Sequence, residues 1–125
     1  MGVPSVAWCY PNQDDPKVLK VYADSDWAGD LESRRSTTAV LELLGSHPID
    51  CCSVTQGAIA LSSGEAELET MSRGAAGGLQ TRAILKGFGQ EVEFELLSDS
   101  SAGRAMTQRR GAGRVRHLEA KDLWL

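Results

Sequence analysis

The side chains best placed to do chemistry are carboxylates. Asp24 closes an apolar, partly β-branched run, Val18 to Asp24 (VLKVYAD), and Asp99 closes a second run in which Val92, Phe94 and Leu96 alternate with Glu93 and Glu95. Glu67 falls one turn inside a segment with helical spacing that begins after Ser62. In an α/β sheet, sites gather beyond the carboxyl ends of strands, so Asp24 and Asp99 converge if their strands are adjacent and parallel. Acids without a thiol or a histidine pair form the ligand set of a hard cation, with Mg²⁺ the usual choice. Phosphoryl transfer is the chemistry such a set supports.

Each acid also has a plainer use. Asp99 precedes Ser100 and Ser101 and can serve as a helix N-cap. Asp24 and Asp26 open a loop rich in turn residues, where acids are usually just solvated. At about 100° per residue, Glu65 and Glu67 both flank the apolar stripe of their helix, and only Glu69 falls well off it. Spacing alone leaves these readings open.

The elements that must position the acids follow from the residue pattern. Residues 1–16 contain Pro4, Pro11 and Pro16 with Asn12, Asp14 and Asp15, and read as a linker from an upstream region; the compact domain spans residues 17–125. Val18 to Asp24 suits a buried strand, and Ser25 to Thr37 reads as a loop. Thr38 to Leu44 and Ile49 to Thr55 form two further strands around a Gly45-Ser46-His47-Pro48 turn, an antiparallel hairpin. Ser62 and Glu65 make a capping box, with Leu68, Met71, Ala75 and Leu79 at helical spacing behind it. Gly74, Gly77 and Gly78 weaken that helix by about 1 kcal/mol each against Ala. Gly87 and Gly89 stop it. A strand by its period of two runs into Asp99, a short helix covers Ser100 to Gln108, Val115 to Leu118 forms a last strand, and Glu119 opens a final helix. The order βββ-α-β-α-β-α is a mixed α/β sheet.

Composition limits the alternatives. At 125 residues the chain fits one domain. Hydrophobic residues at 42% and charged residues at 24% exclude wholesale disorder. Thirteen bases against seventeen acids give a net charge of −4, which argues against a basic, stand-alone nucleic-acid binder. Cys9, Cys51 and Cys52 are odd in number and lack C-x-x-C spacing, so the chain reads as a reduced, intracellular protein without a zinc site. Cys51 and Cys52 point to opposite faces of a strand and read as core fillers. No apolar run approaches the roughly 20 residues of a membrane span, and no secretory signal opens the chain.

The strings YADSDWAGDLESRRSTTAV, LLGSHPI, TQGAIALSSGEAELETM, LLSDSSAG and GRVRHLEAKDLWL, in that order, resemble the ribonuclease H domain of copia-type (Pseudoviridae-like) LTR-retrotransposon polyproteins over about residues 17–125. The resemblance implies the ribonuclease H fold, a five-stranded mixed sheet with helices packed on it. It implies an endonuclease that hydrolyses the RNA strand of RNA·DNA hybrids with two Mg²⁺, or Mn²⁺, held by four acids. Those acids fall on Asp24, Glu67, Asp99 and Glu119. The family looks to carry Asp at the last position, and Asp122, three residues on, is a substitute ligand on the same helical face. Partners implied are the hybrid and an upstream reverse transcriptase polymerase domain of the same polyprotein, in a cytoplasmic, virus-like-particle or nuclear setting and not at a membrane. A catalytically degenerate module that binds nucleic acid or a partner without cutting is the alternative, motivated by Glu119 and a short last helix.

With that family in view, Arg34 and Arg35 and the basic run holding Arg114, Arg116 and His117 become phosphate-tracking candidates, and Ser100 a substrate contact. Trp27 can pack on a sugar or base, although its residue type favours core packing. Setting the four acids aside leaves thirteen acidic against thirteen basic residues, so the net charge equals the proposed metal site.

Overall fold

The computed structural model describes Gly2 and residues 5–99. Within them the chain forms strands β1 (Val18–Asp26), β2 (Thr37–Leu44) and β3 (His47–Thr55), helix α1 (Ser63–Gly87) and strand β4 (Glu93–Leu97). The four strands make one mixed sheet in the order β3-β2-β1-β4. β1–β2 and β2–β3 are antiparallel, and β1–β4 is parallel. The expected fifth strand, Val115 to Leu118, and the helices expected from Ser100 and Glu119 lie outside the described residues.

Alternation explains which face of the sheet is covered. Leu19, Val21 and Ala23 are buried while Tyr22 and Asp24 between them are exposed, so successive side chains of β1 divide between α1 and the opposite face. β2 repeats the pattern with Thr38, Val40 and Glu42 buried. Phe94 and Leu96 of β4 complete the contact around Leu19, Val21 and Val40. The hairpin is tighter than the sequence suggests. Gly45 takes φ +61° and only Gly45 and Ser46 turn, so His47 and Pro48 begin β3, where an edge strand tolerates the proline.

α1 begins as expected: Ser62 Oγ accepts from Glu65 N at 3.2 Å, while the Glu65 carboxylate reaches back to Leu61 N at 2.7 Å, one residue before the usual capping-box partner. Its buried face differs from the expected Leu68-Met71-Ala75-Leu79 stripe. Gly64, Ala66, Thr70, Met71, Gly74, Ala75 and Gly78 are buried, and Leu68 is exposed. The glycines are the reason. A Cβ on Gly78 would collide with the Phe94 ring and come within 2.6 Å of Val21 Cγ2, so the helix lies too close to the sheet there for any side chain.

The segment before β1 is docked on the hairpin. Tyr10 donates its hydroxyl to Pro48 O at 3.1 Å and meets the His47 ring edge-on. Gln13 donates to Leu44 O at 3.1 Å and so also to His47 Nδ1 at 2.9 Å, which leaves the histidine proton on Nε2, facing Pro11 O at 2.7 Å.

Candidate active site

Parallel pairing brings the first two acids together. β1 and β4 run in register from Val18↔Glu93 to Tyr22↔Leu97, and Asp24 and Asp99 each stand two residues beyond that last pair. Asp24 does not close its strand, as the sequence reading has it. β1 continues to Asp26 because β2 still pairs with it there, Asp26↔Thr37. On its other side, pairing with β4 ends at Tyr22↔Leu97. Both aspartates are exposed, and with Tyr22, Leu41, Cys51 and Leu97 they line a groove of about 670 Å³ on the sheet.

Glu67 approaches from α1. It is half-buried, and its Oε2 atom is buried with no hydrogen-bond partner. Burial holds its carboxyl above the ordinary glutamate value; the Ser25 hydroxyl opposes that shift in part, and the negative charges of Asp24 and then Asp99 add to it. Ser25 Oγ is itself buried, near enough to favour the charged form of Glu67 but outside hydrogen-bond geometry. The wheel ambiguity is thus narrowed: Glu65 is spent on the helix cap, Glu69 is exposed, and the half-buried Glu67 is the one that feels the charges of both aspartates.

The donors are of the right kind for a hard cation, all carboxylate oxygens, with Glu67 Oε2 buried and unpartnered. Among the described residues, however, no three His, Cys, Asp or Glu side chains are gathered closely enough to hold a metal ion. Glu119 and Asp122 lie outside the described residues, as do Ser100, Arg114, Arg116 and His117.

Arg34 and Arg35 are exposed on the β1–β2 loop. That loop is shaped by its own polar groups. The Asp30 carboxylate accepts from Ser33 Oγ and from the backbone N–H of Glu32 and Ser33, bonds that hold its pKa below the ordinary value. Arg34 takes φ +58° and donates its N–H to Asp30 O at 2.8 Å. Trp27 is half exposed (50%), contrary to the core packing its residue type favours, and its indole N–H donates to Ala60 O at 3.2 Å. Cys51 is exposed on the open face of β3 and is not a core filler; Cys52 packs against the core.

Sequence reading missed a buried polar cluster beside Glu67. Gln56 Nε2 lies 3.0 Å from both Thr38 Oγ1 and Ala66 O and 3.2 Å from Thr70 Oγ1, and the two threonine hydroxyls are 2.8 Å apart. The visible clue was parity: Thr38 alternates with Val40, and Ser25 with Ala23, on the buried side of their strands.

A transposon polyprotein from tobacco, the retrovirus-related Pol polyprotein from transposon TNT 1-94 (Nicotiana tabacum), matches 94% of the chain at 26% identity. The chain is similar to segments of retrovirus-related Pol polyproteins. The polyprotein of this kind from transposon RE2 of Arabidopsis thaliana is 41% identical over 54 residues, 43% of the chain. Secreted RxLR effector protein 161 of Plasmopara viticola is 47% identical over 51 residues, 41% of the chain. The matched stretches are small parts of these relatives: 9% of the tobacco polyprotein, 4% of the Arabidopsis one and 36% of the effector. No protein-family profile matches the chain.

Proposed function

We propose that this chain is the ribonuclease H domain of a retrotransposon Pol polyprotein and hydrolyses the RNA strand of RNA·DNA hybrids. The observation that carries the reading is the placing of Asp24 and Asp99 at matching positions, each two residues past the last pair of adjacent parallel strands β1 and β4, with the charges of both acting on a half-buried Glu67. Similarity to retrovirus-related Pol polyproteins along 94% of the chain supports the same reading.

Asp24, Glu67 and Asp99 would hold divalent metal, with Glu119 or Asp122 as the further ligand. Two Mg²⁺, when bound, supply an activated water and charge stabilisation at the leaving oxygen. The chain's own residues do the rest. Asp24 and Asp99 concentrate negative charge at one end of the sheet, where a bound cation would offset the repulsion they exert on Glu67. Arg34 and Arg35 offer charge to the hybrid backbone, and RNA is told from DNA by its 2′-hydroxyls across the wide minor groove.

Incubation with a labelled RNA·DNA hybrid and Mg²⁺ tests the proposal: cleavage is expected, and none above an Asp24→Asn control would overturn it. A second reading, a module that binds hybrid without cutting, is favoured by one observation, that the described residues alone do not assemble three metal-ligating side chains. Hybrid binding without turnover at saturating Mg²⁺ would establish it.

A further inference from the structure

We propose that Gln56, Thr38 and Thr70 are positioning residues that fix the first turns of α1 and thereby set Glu67 against Asp24 and Asp99. The claim rests on the reading of these acids as one site. All three side chains are buried, and they join three parts of the fold: Thr38 lies on β2, Thr70 on α1, and Gln56 just after β3. The backbone N–H of Gln56 also donates to Ser36 O at 2.8 Å, and buried Ser36 accepts through its hydroxyl from Ala28 N at 3.1 Å, so the cluster reaches into the loop that leaves β1.

Its orientation is fixed by chemistry. Ala66 O can only accept, so the amide must turn Nε2 toward it, and the opposite orientation would set two acceptors against each other. Gln56 Oε1 is then left buried without a partner. That orphan costs stability, so an apolar side chain would fill the site more cheaply and the amide is kept for direction. The need for direction lies in the helix. Gly64, Ala66, Gly74, Ala75 and Gly78 leave Thr70 and Met71 as the larger side chains of the buried face, so little else fixes its position along the sheet. Hydrogen bonds to Ala66 O and Thr70 Oγ1 bracket Glu67 on both sides in sequence and supply the missing lock. Displacing a reacting group by about 1 Å costs on the order of a hundredfold in rate.

The test compares Thr70→Val, which keeps the shape and removes the hydroxyl, with Thr70→Ser, which keeps the hydroxyl, in the full chain. Three readouts are taken: calorimetric binding of Mg²⁺ alone, kcat and KM on hybrid, and amide hydrogen exchange. For Thr70→Val we expect Mg²⁺ affinity and kcat to fall about tenfold or more with KM within about twofold, and amides of residues 67–70 to exchange about tenfold faster while those near Ile84 stay unchanged. Thr70→Ser should match the wild type. Wild-type affinity, kcat and exchange in Thr70→Val, or exchange faster along the whole helix alike, would overturn the proposal. If the wild type itself neither binds Mg²⁺ nor cleaves, the reading of the site fails, and the exchange pattern still decides the positioning claim.

Discussion

Asp24 and Asp99 stand level with each other, each two residues past the Tyr22↔Leu97 pair of parallel strands β1 and β4, and both raise the pKa of Glu67. Removing one charge must therefore be felt by the third acid. Asp24→Asn should lower the Glu67 pKa without returning it to the ordinary value, because burial, the larger cause, remains. Carboxyl-carbon NMR titration of the metal-free protein reads this directly, and an unchanged Glu67 would sever the proposed cluster.

The raised Glu67 also fixes a sign for stability. The folded, metal-free chain binds more protons than the unfolded one between the ordinary value of about 4.5 and the raised value. This contribution is present below about 4.5 and is lost as pH rises through the raised value. Glu67→Gln should therefore raise the urea midpoint at pH 7, with a gain that shrinks on acidification. Saturating Mg²⁺ should reverse the order, since ligand at a hundred times Kd stabilises the wild type by about 2.7 kcal/mol.

Glu42 makes the same test away from the site. It is 2% exposed on the α1 face of β2, and burial raises its pKa, with the Thr81 hydroxyl opposing and cross-strand Asp50 adding to the shift. Glu42→Gln should stabilise the chain by about 1 kcal/mol at pH 7, less as pH falls, and leave hybrid cleavage unchanged. Denaturation at pH 7 and pH 5, with a cleavage assay alongside, checks both halves.

Close approach of helix and sheet predicts an asymmetry among glycines. Gly78→Ala gains about 1 kcal/mol of helix propensity but drives a methyl into Phe94 and Val21, an overpacking cost of about 1–3 kcal/mol, so a net loss is expected. Gly87→Ala, with open space around the added carbon, should be neutral or mildly stabilising. Chemical denaturation of the two variants side by side measures the difference.

If Arg34 and Arg35 track phosphates, removing them should weaken hybrid binding and flatten its salt dependence. Arg34→Asn tolerates the φ of +58° at that position and isolates charge from backbone strain. Combined with Arg35→Gln, it should raise KM several-fold and reduce the slope of log affinity against log salt by about 1 to 2. An unaltered slope would leave the loop without a role in binding.

Much of the fold was legible because local rules dominated. The hairpin, the Ser62 cap and the alternation of Phe94 and Leu96 were read to within about two residues. Errors arose where a partner decided the outcome: β2 carried β1 past Asp24 to Asp26, and the nearness of the sheet made glycines, not Leu68, the buried face of α1. Trp27 was misjudged likewise: its indole bonds to Ala60 O, distant in sequence, and half of its surface stays exposed.

Among the described residues, the sequence by itself determined the elements and their order, because periodicity and capping are properties of neighbours along the chain. It also placed Asp24 and Asp99 at equivalent points of two strands without saying that those strands touch. Only the tertiary structure decided that β1 and β4 are adjacent and parallel, that Glu67 feels the charges of both aspartates, and that Gln56 ties the helix to the sheet. These are contacts between residues far apart in the chain, set by which surfaces exclude water together, and no local spacing carries them.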